Sequence, residues 1–381
     1  MNIPPTKPYI PEADIQTILK HTEKALRSGR LWNGPFLAEF EKEFAKVAGT
    51  KHAVGMNSAT SVLQTILEYY DVKGCEVITP TNTFIATSNA VIFAGGTPVL
   101  ADMHPQTLCL APADVKKRIT KKTKGIILVH LGGLITPHIE EIRKIAKQHK
   151  LFFIEDASHA HGASRKGTPA GAWGDAAAFS FYATKVITSG GLGGMLTTED
   201  GKLAEYARSV RFHGEGTVRG IQERLGNDWS LSEPQAIIGL AQTKRLKEIV
   251  KKRMVIAAAY DKAFGKLPNV TLFPLPPKTI HSYYKYLLLL KSAEEKKRVA
   301  SALKERGIAT GSLYWPPCHL QPVYQKKFGY KISPRLTRLG REGDFPITED
   351  ILSRAIALPM YTGMTKKERD YIVAQVKEAL S

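Results

Sequence analysis

Lys185 closes the run Phe179-Ser180-Phe181-Tyr182-Ala183-Thr184-Lys185, and a glycine-rich stretch, Gly190-Gly191-Leu192-Gly193-Gly194, follows it. Upstream, the apolar run Leu151-Phe152-Phe153-Ile154 ends in Glu155-Asp156. A strand ending in a carboxylate, then a strand ending near a lysine, supplies the two groups that a pyridoxal phosphate (PLP) enzyme needs. A lysine amine can hold the cofactor's aldehyde as a Schiff base. A carboxylate can keep the pyridine nitrogen protonated, so that the ring withdraws electrons. A lone lysine in a lysine-rich chain is ordinarily a solvated surface residue. The order of the surrounding segments sets Lys185 apart.

Further groups sit where a phosphate or a ring could be held. Ser58-Ala59-Thr60 lies where a strand gives way to a helix, so outward-pointing amides and two hydroxyls could seat a phosphate. Taken alone, the same residues read more readily as a plain N-cap. Ser180, at the end of the strand before Lys185, could add another hydroxyl. Asp156 closes a buried strand, and ligands of parallel sheets bind at such carboxyl ends; a helix cap is its other reading. Phe84 follows the loop Thr81-Asn82-Thr83 and could stack on a ring or pack in the core. His159 and His161 stand close behind Asp156, and one of them could reach the cofactor's phenolic oxygen. No nearby cysteine or third histidine supports a zinc pair.

The elements that would position these groups alternate. Phe36, Phe40, Phe44 and Val47 share one helical face. Apolar strands are expected at 52–57, 76–80, 97–102, 125–130, 151–156, 176–182 and 194–197. Helices are expected from Thr60, through Phe84–Val91, and over 138–149. Nearly all-apolar strands alternating with helices mean a mostly parallel sheet covered on both sides. The glycines at 190–194 do not open a helix directly after a strand, so they do not make a dinucleotide fingerprint. After about residue 250 the pattern changes. A strand is expected at 283–290, a helix at 293–306 stopped by Gly307, and a last helix capped by Thr365. This divides the chain into a large cofactor-binding domain, 1–250, and a smaller α+β domain, 251–381.

With 381 residues, 43% of them hydrophobic, the chain can bury a large core. Its three cysteines, Cys75, Cys109 and Cys318, are too few and scattered for a disulfide framework. The start, Met1-Asn2-Ile3-Pro4-Pro5, lacks the apolar core of a signal peptide. A reducing cytoplasm is the expectation. The net charge of +19 favours anionic partners. The basic runs around 116–124 and 244–253 lack the interleaved aromatics of single-strand binders, so a nucleotide-linked substrate fits the charge better than nucleic acid.

Taken together, these motifs resemble the sugar aminotransferase family named after DegT and StrS, within the three-layer α/β PLP-dependent transferase fold, type I. The resemblance runs from Ser28-Gly29-Arg30-Leu31-Trp32-Asn33-Gly34-Pro35 to Leu358-Pro359-Met360-Tyr361. Ser58-Ala59-Thr60 is similar to the family's phosphate-binding Ser-Gly-Thr. Thr83-Phe84-Ile85-Ala86-Thr87 resembles the segment whose aromatic covers the ring. Glu155-Asp156-Ala157-Ser158-His159-Ala160-His161-Gly162 and the Ser180–Lys185 run resemble the motifs carrying the carboxylate and the lysine. The resemblance implies PLP bound by Ser58, Ala59, Thr60, Phe84, Asp156, His159, Ser180 and Lys185. It places Asn33, Tyr314 and His319 on the substrate side. It implies amino transfer from an amino acid, glutamate, to a nucleotide-linked keto-sugar, in a homodimer with shared active sites.

The chain also departs from that pattern. His159 stands where the family usually has Gln, Val186 where it has Asn, and Leu192 where it has an acid. Asp228 and Ser230 replace an Asn and an Arg in the segment that reaches the partner's phosphate. Asp228 would repel a phosphate, so Asn227, or a cation from the preceding loop such as Arg219 or Arg224, is expected to take that contact. Two other functions fit the same fold. One is a sugar dehydratase, whose relatives carry His at the position of Lys185. The other is a non-catalytic regulatory or nucleic-acid-binding protein.

Overall fold

The computed structural model describes residues 1–330 and 345–381. Its centre is a seven-stranded sheet of β1 (His52–Met56), β2 (Glu76–Pro80), β3 (Thr97–Ala101), β4 (Thr123–Val129), β5 (Phe152–Asp156), β8 (Ala176–Ser180) and β9 (Gly194–Thr198). Their order across the sheet is β1-β9-β8-β5-β4-β2-β3. Every pairing from β8 to β3 is parallel, while β9 runs against both of its neighbours. A short ribbon strand, β6 (Ser164–Arg165), pairs with β7 (Thr168–Pro169) on one side and with β11 (Thr279–Ile280) on the other.

Strands β5, β8 and β9 are buried along their whole length, which is why they read as unbroken apolar runs. Alternation along each strand splits the core in two. Phe152, Ile154, Ala176 and Ala178 join the helices Ala59–Tyr69 and Gly201–Val210 on one face. Phe153, Ala177 and Phe179 join Pro35–Ala48, Ile139–Gln148 and part of Glu233–Phe264 on the other.

A second core gathers around the small sheet β10 (Val270–Thr271), β12 (Tyr286–Leu290) and β13 (Ala355–Leu358). The helices Ala293–Glu305 and Lys366–Leu380 cover it, the latter opened by a Thr365–Glu368 capping box. The expected division at 250 falls inside the helix Glu233–Phe264, which carries Leu240 and Ile249 in the first core and Tyr260 and Phe264 in the second. Ile3 also packs in the second core.

Two local differences from the sequence reading bear on function. The strand expected from 283 begins only at Tyr286, because Tyr283 has a φ of +47° and breaks the extended run. Tyr284 and Lys285 are thereby left in a loop. The helix Glu12–Ser28 is not among the expected elements, although Ile15, Ile18, Leu19, Ala25 and Leu26 recur along it at helical spacing. Ala25 is its one fully buried residue, and Ile18 packs against the first core.

Candidate active site

The carboxyl ends of β1, β5 and β8 open onto one cavity of about 520 Å³. Asp156, the last residue of β5, lies on the same sheet face as Phe152 and Ile154, so its carboxylate meets this cavity. Thr87 donates its hydroxyl hydrogen to Oδ2 at 2.7 Å, and the Ser158 amide donates to Oδ1 at 3.1 Å. The Thr83 hydroxyl lies 2.8 Å from that of Thr87 and completes a short relay onto the carboxylate. Thr87 was not among the residues expected from sequence; its spacing of four from Thr83 across a helix start is the signal that could have found it.

Lys185 enters from the loop after β8. That loop is stitched to the glycine-rich stretch by Phe181 N–H to Gly193 and Ala183 N–H to Gly191. Among the described residues the Lys185 Nζ has no hydrogen-bond partner, and it lies 4.8 Å from the centroid of the Tyr284 ring. Loss of solvent pushes its pKa down to about 8; the charge of Lys285 adds to the lowering and Asp156 works against it. An amine that loses its proton about two pH units or more earlier than an ordinary lysine, close to a carboxylate, is a nucleophile in waiting.

At another wall of the cavity the helix Ala59–Tyr69 begins. Ser58 does act as its N-cap, accepting from the Ser61 amide at 3.1 Å. The amides of Ala59 and Thr60 have no partner within the helix, and the Thr60 hydroxyl makes no hydrogen bond among the described residues. Cap and anion seat therefore coexist here. Gly194 is required for this arrangement, because a Cβ on it would fall 2.3 Å from the Ser58 carbonyl carbon. Ser180 Oγ lines the same cavity and, among the described residues, has the Tyr182 amide at 3.4 Å as its one hydrogen-bond partner. Phe84 is not core; it is 57% exposed and forms part of the cavity's rim.

His159 lines the cavity, but both of its ring nitrogens are engaged. Gly132 N–H meets Nδ1 at 3.3 Å and Tyr314 Oη lies 2.7 Å from Nε2. Burial, then the charges of Lys185 and Lys285, hold its pKa well below the usual imidazole value. The ring stacks on Tyr284 at 4.2 Å. His161 turns away into the cluster of Phe44, Phe179 and Phe181. Tyr284 was also not foreseen, because its position depends on the break at Tyr283.

Three expected residues lie elsewhere. His319 is fully buried behind the wall, its ring held by Thr81 at 2.6 Å and Glu349 at 3.1 Å, so a substrate role is replaced by a structural one. Asn33 sits with Trp32 and Arg211 in a separate hollow of about 230 Å³. Asn227 and Asp228 are exposed on a loop away from this chain's own cavity.

An aldehyde-holding amine, a carboxylate for a ring nitrogen, an aromatic rim and a helix terminus with free amides match the chemistry of PLP, and the residues fit it. Known proteins agree. The chain is 34% identical to the GDP-perosamine synthase of Caulobacter vibrioides over 91% of both chains. Its fold superposes on Helicobacter pylori PseC, an aminotransferase involved in the biosynthesis of pseudoaminic acid, with a TM-score of 0.90 and 28% identity over 100% and 99% of the two chains. It also superposes on NtdA of Bacillus subtilis, solved with bound cofactor PMP, with a TM-score of 0.87 and 27% identity over 97% of this chain and 83% of that one. The model of the DegT/DnrJ/EryC1/StrS aminotransferase family matches residues 12–377, and the chain belongs to that family of PLP-dependent aminotransferases.

Proposed function

We propose that the protein transfers an amino group from an amino-acid donor, glutamate, to a keto group on a nucleotide-linked sugar. Lys185 would hold PLP, Asp156 would face its pyridine nitrogen, and Ser58, Thr60 and Ser180 with the Ala59–Tyr69 helix terminus would hold its phosphate. The bound cofactor supplies an electron-withdrawing ring that stabilises charge on a carbon losing its proton. Lys185, whose amine pKa burial lowers to about 8 in the protein alone, would take up and return that proton through Nζ. Asp156, fixed by Thr87 and the Ser158 amide, keeps its negative charge aimed at one spot. Tyr284 shields one side of the amine from water. The observation that carries this reading is the pairing of Lys185 and Asp156 in one cavity.

The sugar half of the reading is supported by the relatives' names and by the surplus of 54 basic over 35 acidic residues, which suits a diphosphate. We further infer a homodimer. Leu31, Trp32, Tyr182 and Leu225 are exposed, and Leu192 is exposed on the cavity wall itself. Backbone and side-chain bonds link residues 31, 191–192 and 230–235 into one surface around the opening. A second copy would bury that apolar rim and bring its own Asn227 loop to this cavity. A cytoplasmic location fits three free cysteines, and among the described residues no helix is long and apolar enough to cross a membrane.

The test has two stages. Protein loaded with PLP should show a near-visible absorbance band that borohydride abolishes, with the label on Lys185 after peptide mapping. Glutamate and a panel of nucleotide-linked keto-sugars should then yield 2-oxoglutarate with one sugar class. A colourless protein that binds DNA in a salt-sensitive way would overturn the reading.

A further inference from the structure

Tyr314 and His159 form a hydrogen bond whose direction can be worked out. The Gly132 amide can only donate, so His159 Nδ1 must accept and carries no hydrogen. A neutral imidazole then has its hydrogen on Nε2. That hydrogen points at Tyr314 Oη, 2.7 Å away. The opposite arrangement would set an Nδ1–H against the Gly132 N–H. Burial keeps the ring neutral, so a doubly protonated form is disfavoured as well.

Tyr314 Oη is thus an acceptor towards His159 and keeps its own hydrogen. Burial holds the phenol protonated, well above its usual value. The His159 contact is the sole hydrogen bond of Tyr314 among the described residues. Tyr314 lines the cavity with Asp156 and Lys185, so its free hydrogen is available there. His159 cannot act as a relay, because a neutral ring that gave up its Nε2 hydrogen would become an anion. It is a positioning residue that fixes the rotor of the phenol.

We propose that Tyr314, aimed by His159, donates its hydroxyl hydrogen to the ring oxygen of the bound cofactor. The inference rests on the reading that Lys185 holds PLP. It also reassigns the contact with the phenolic oxygen, from a histidine after Asp156 to the tyrosine that this histidine orients.

The experiment is a spectroscopic pH titration of the PLP-loaded protein without substrate. A donor to the ring oxygen weakens that oxygen's hold on the proton it shares with the neighbouring nitrogen. Tyr314→Phe should therefore move the midpoint of the band's titration to higher pH, by about one unit for the loss of a hydrogen bond to a charged group. His159→Leu should move it the same way by less. His159→Gln, which keeps an N–H for Tyr314, should restore it. An unmoved midpoint in Tyr314→Phe, with His159→Leu still shifted, overturns the proposal and makes His159 the direct donor. Peptide mapping of the reduced wild-type protein separates the two layers. A label on Lys185 with an unmoved Tyr314→Phe midpoint sinks the inference alone, whereas a label on another lysine takes both down.

Discussion

Glu155 and Asp156 are neighbours in sequence and both are buried, yet their surroundings differ completely. Glu155 lies on the Phe153 face, where it accepts from His130 at 2.7 Å and from the amides of Gly171, Trp173 and Gly174 at 3.0, 2.8 and 2.8 Å. Its oxygens are saturated by protein. Asp156 receives two donors and turns the rest of its accepting capacity to a cavity. A one-residue step along a strand exchanges one face of the sheet for the other. Full satisfaction marks a carboxylate that holds the fold together, and partial satisfaction marks one that waits for a ligand.

The contrast can be broken by mutation. Lys185→Ala should lower turnover by on the order of 10³-fold or more, because the amine is both covalent holder and proton carrier; steady-state kinetics with glutamate checks this. Asp156→Asn should cost on the order of 10²-fold in turnover and little stability, since the amide keeps an acceptor for Thr87. Glu155→Gln should reverse that profile. It places an NH₂ against a ring of donors and should cost about 2–4 kcal/mol in chemical denaturation, while the cofactor titration midpoint stays put. If Glu155→Gln proved stable and inactive, the division of labour between the two carboxylates would be wrong.

The pH dependence of the cofactor-free protein sharpens the same comparison. The Lys185 amine has its pKa lowered from 10.5 to about 8 in the fold. The unfolded chain therefore binds more protons than the native one between those values, and stability rises with pH across that window. Below about pH 8 the cost of the buried charge is present in full. Lys185→Met should lack this rise in thermal melts taken from pH 7 to 10, and PLP uptake by the wild type should quicken as pH climbs through about 8. The smallest effect is expected at the surface loop. Asn227→Ala should weaken PLP binding by roughly 10-fold, the low end for one hydrogen bond to a charged group. Asp228→Ala should leave binding unchanged or tighter, because two anions about 4 Å apart repel by about 4 kcal/mol at an effective dielectric near 20. Equilibrium titration of the dimer with PLP distinguishes the pair.

Much of this was readable from residue types. Runs such as Phe152–Asp156 announce buried strands because both faces are covered, and Thr365 and Gly307 mark helix ends by their own chemistry. Lys185, Asp156, Ser58, Thr60, Ser180 and Phe84 converge on the cavity as their places at or just after strand ends imply, and Tyr314, which only the family resemblance pointed to, joins them. Residues outside that logic were hidden for physical reasons. Tyr284 reaches the amine only because Tyr283 adopts a left-handed turn, and propensity favours a strand there. His319 carries a reactive side chain in a motif-like run, but Thr81 and Glu349 claim both of its nitrogens. Those are long-range contacts that no local pattern encodes. The helix Glu12–Ser28 did carry the amphipathic period, in Ile15, Ile18, Leu19, Ala25 and Leu26, and was passed over although that signal was present.

The 32-residue helix Glu233–Phe264 has a thermodynamic consequence of its own. One continuous rod contributes side chains to both hydrophobic cores, and Arg253 midway along it donates to the carbonyls of Tyr283, Tyr284 and Met360. Melting either core would strip the rod of half its support and leave that guanidinium without acceptors. The two halves of the molecule should therefore lose structure in a single cooperative transition, giving one calorimetric peak where two separately anchored lobes would give two.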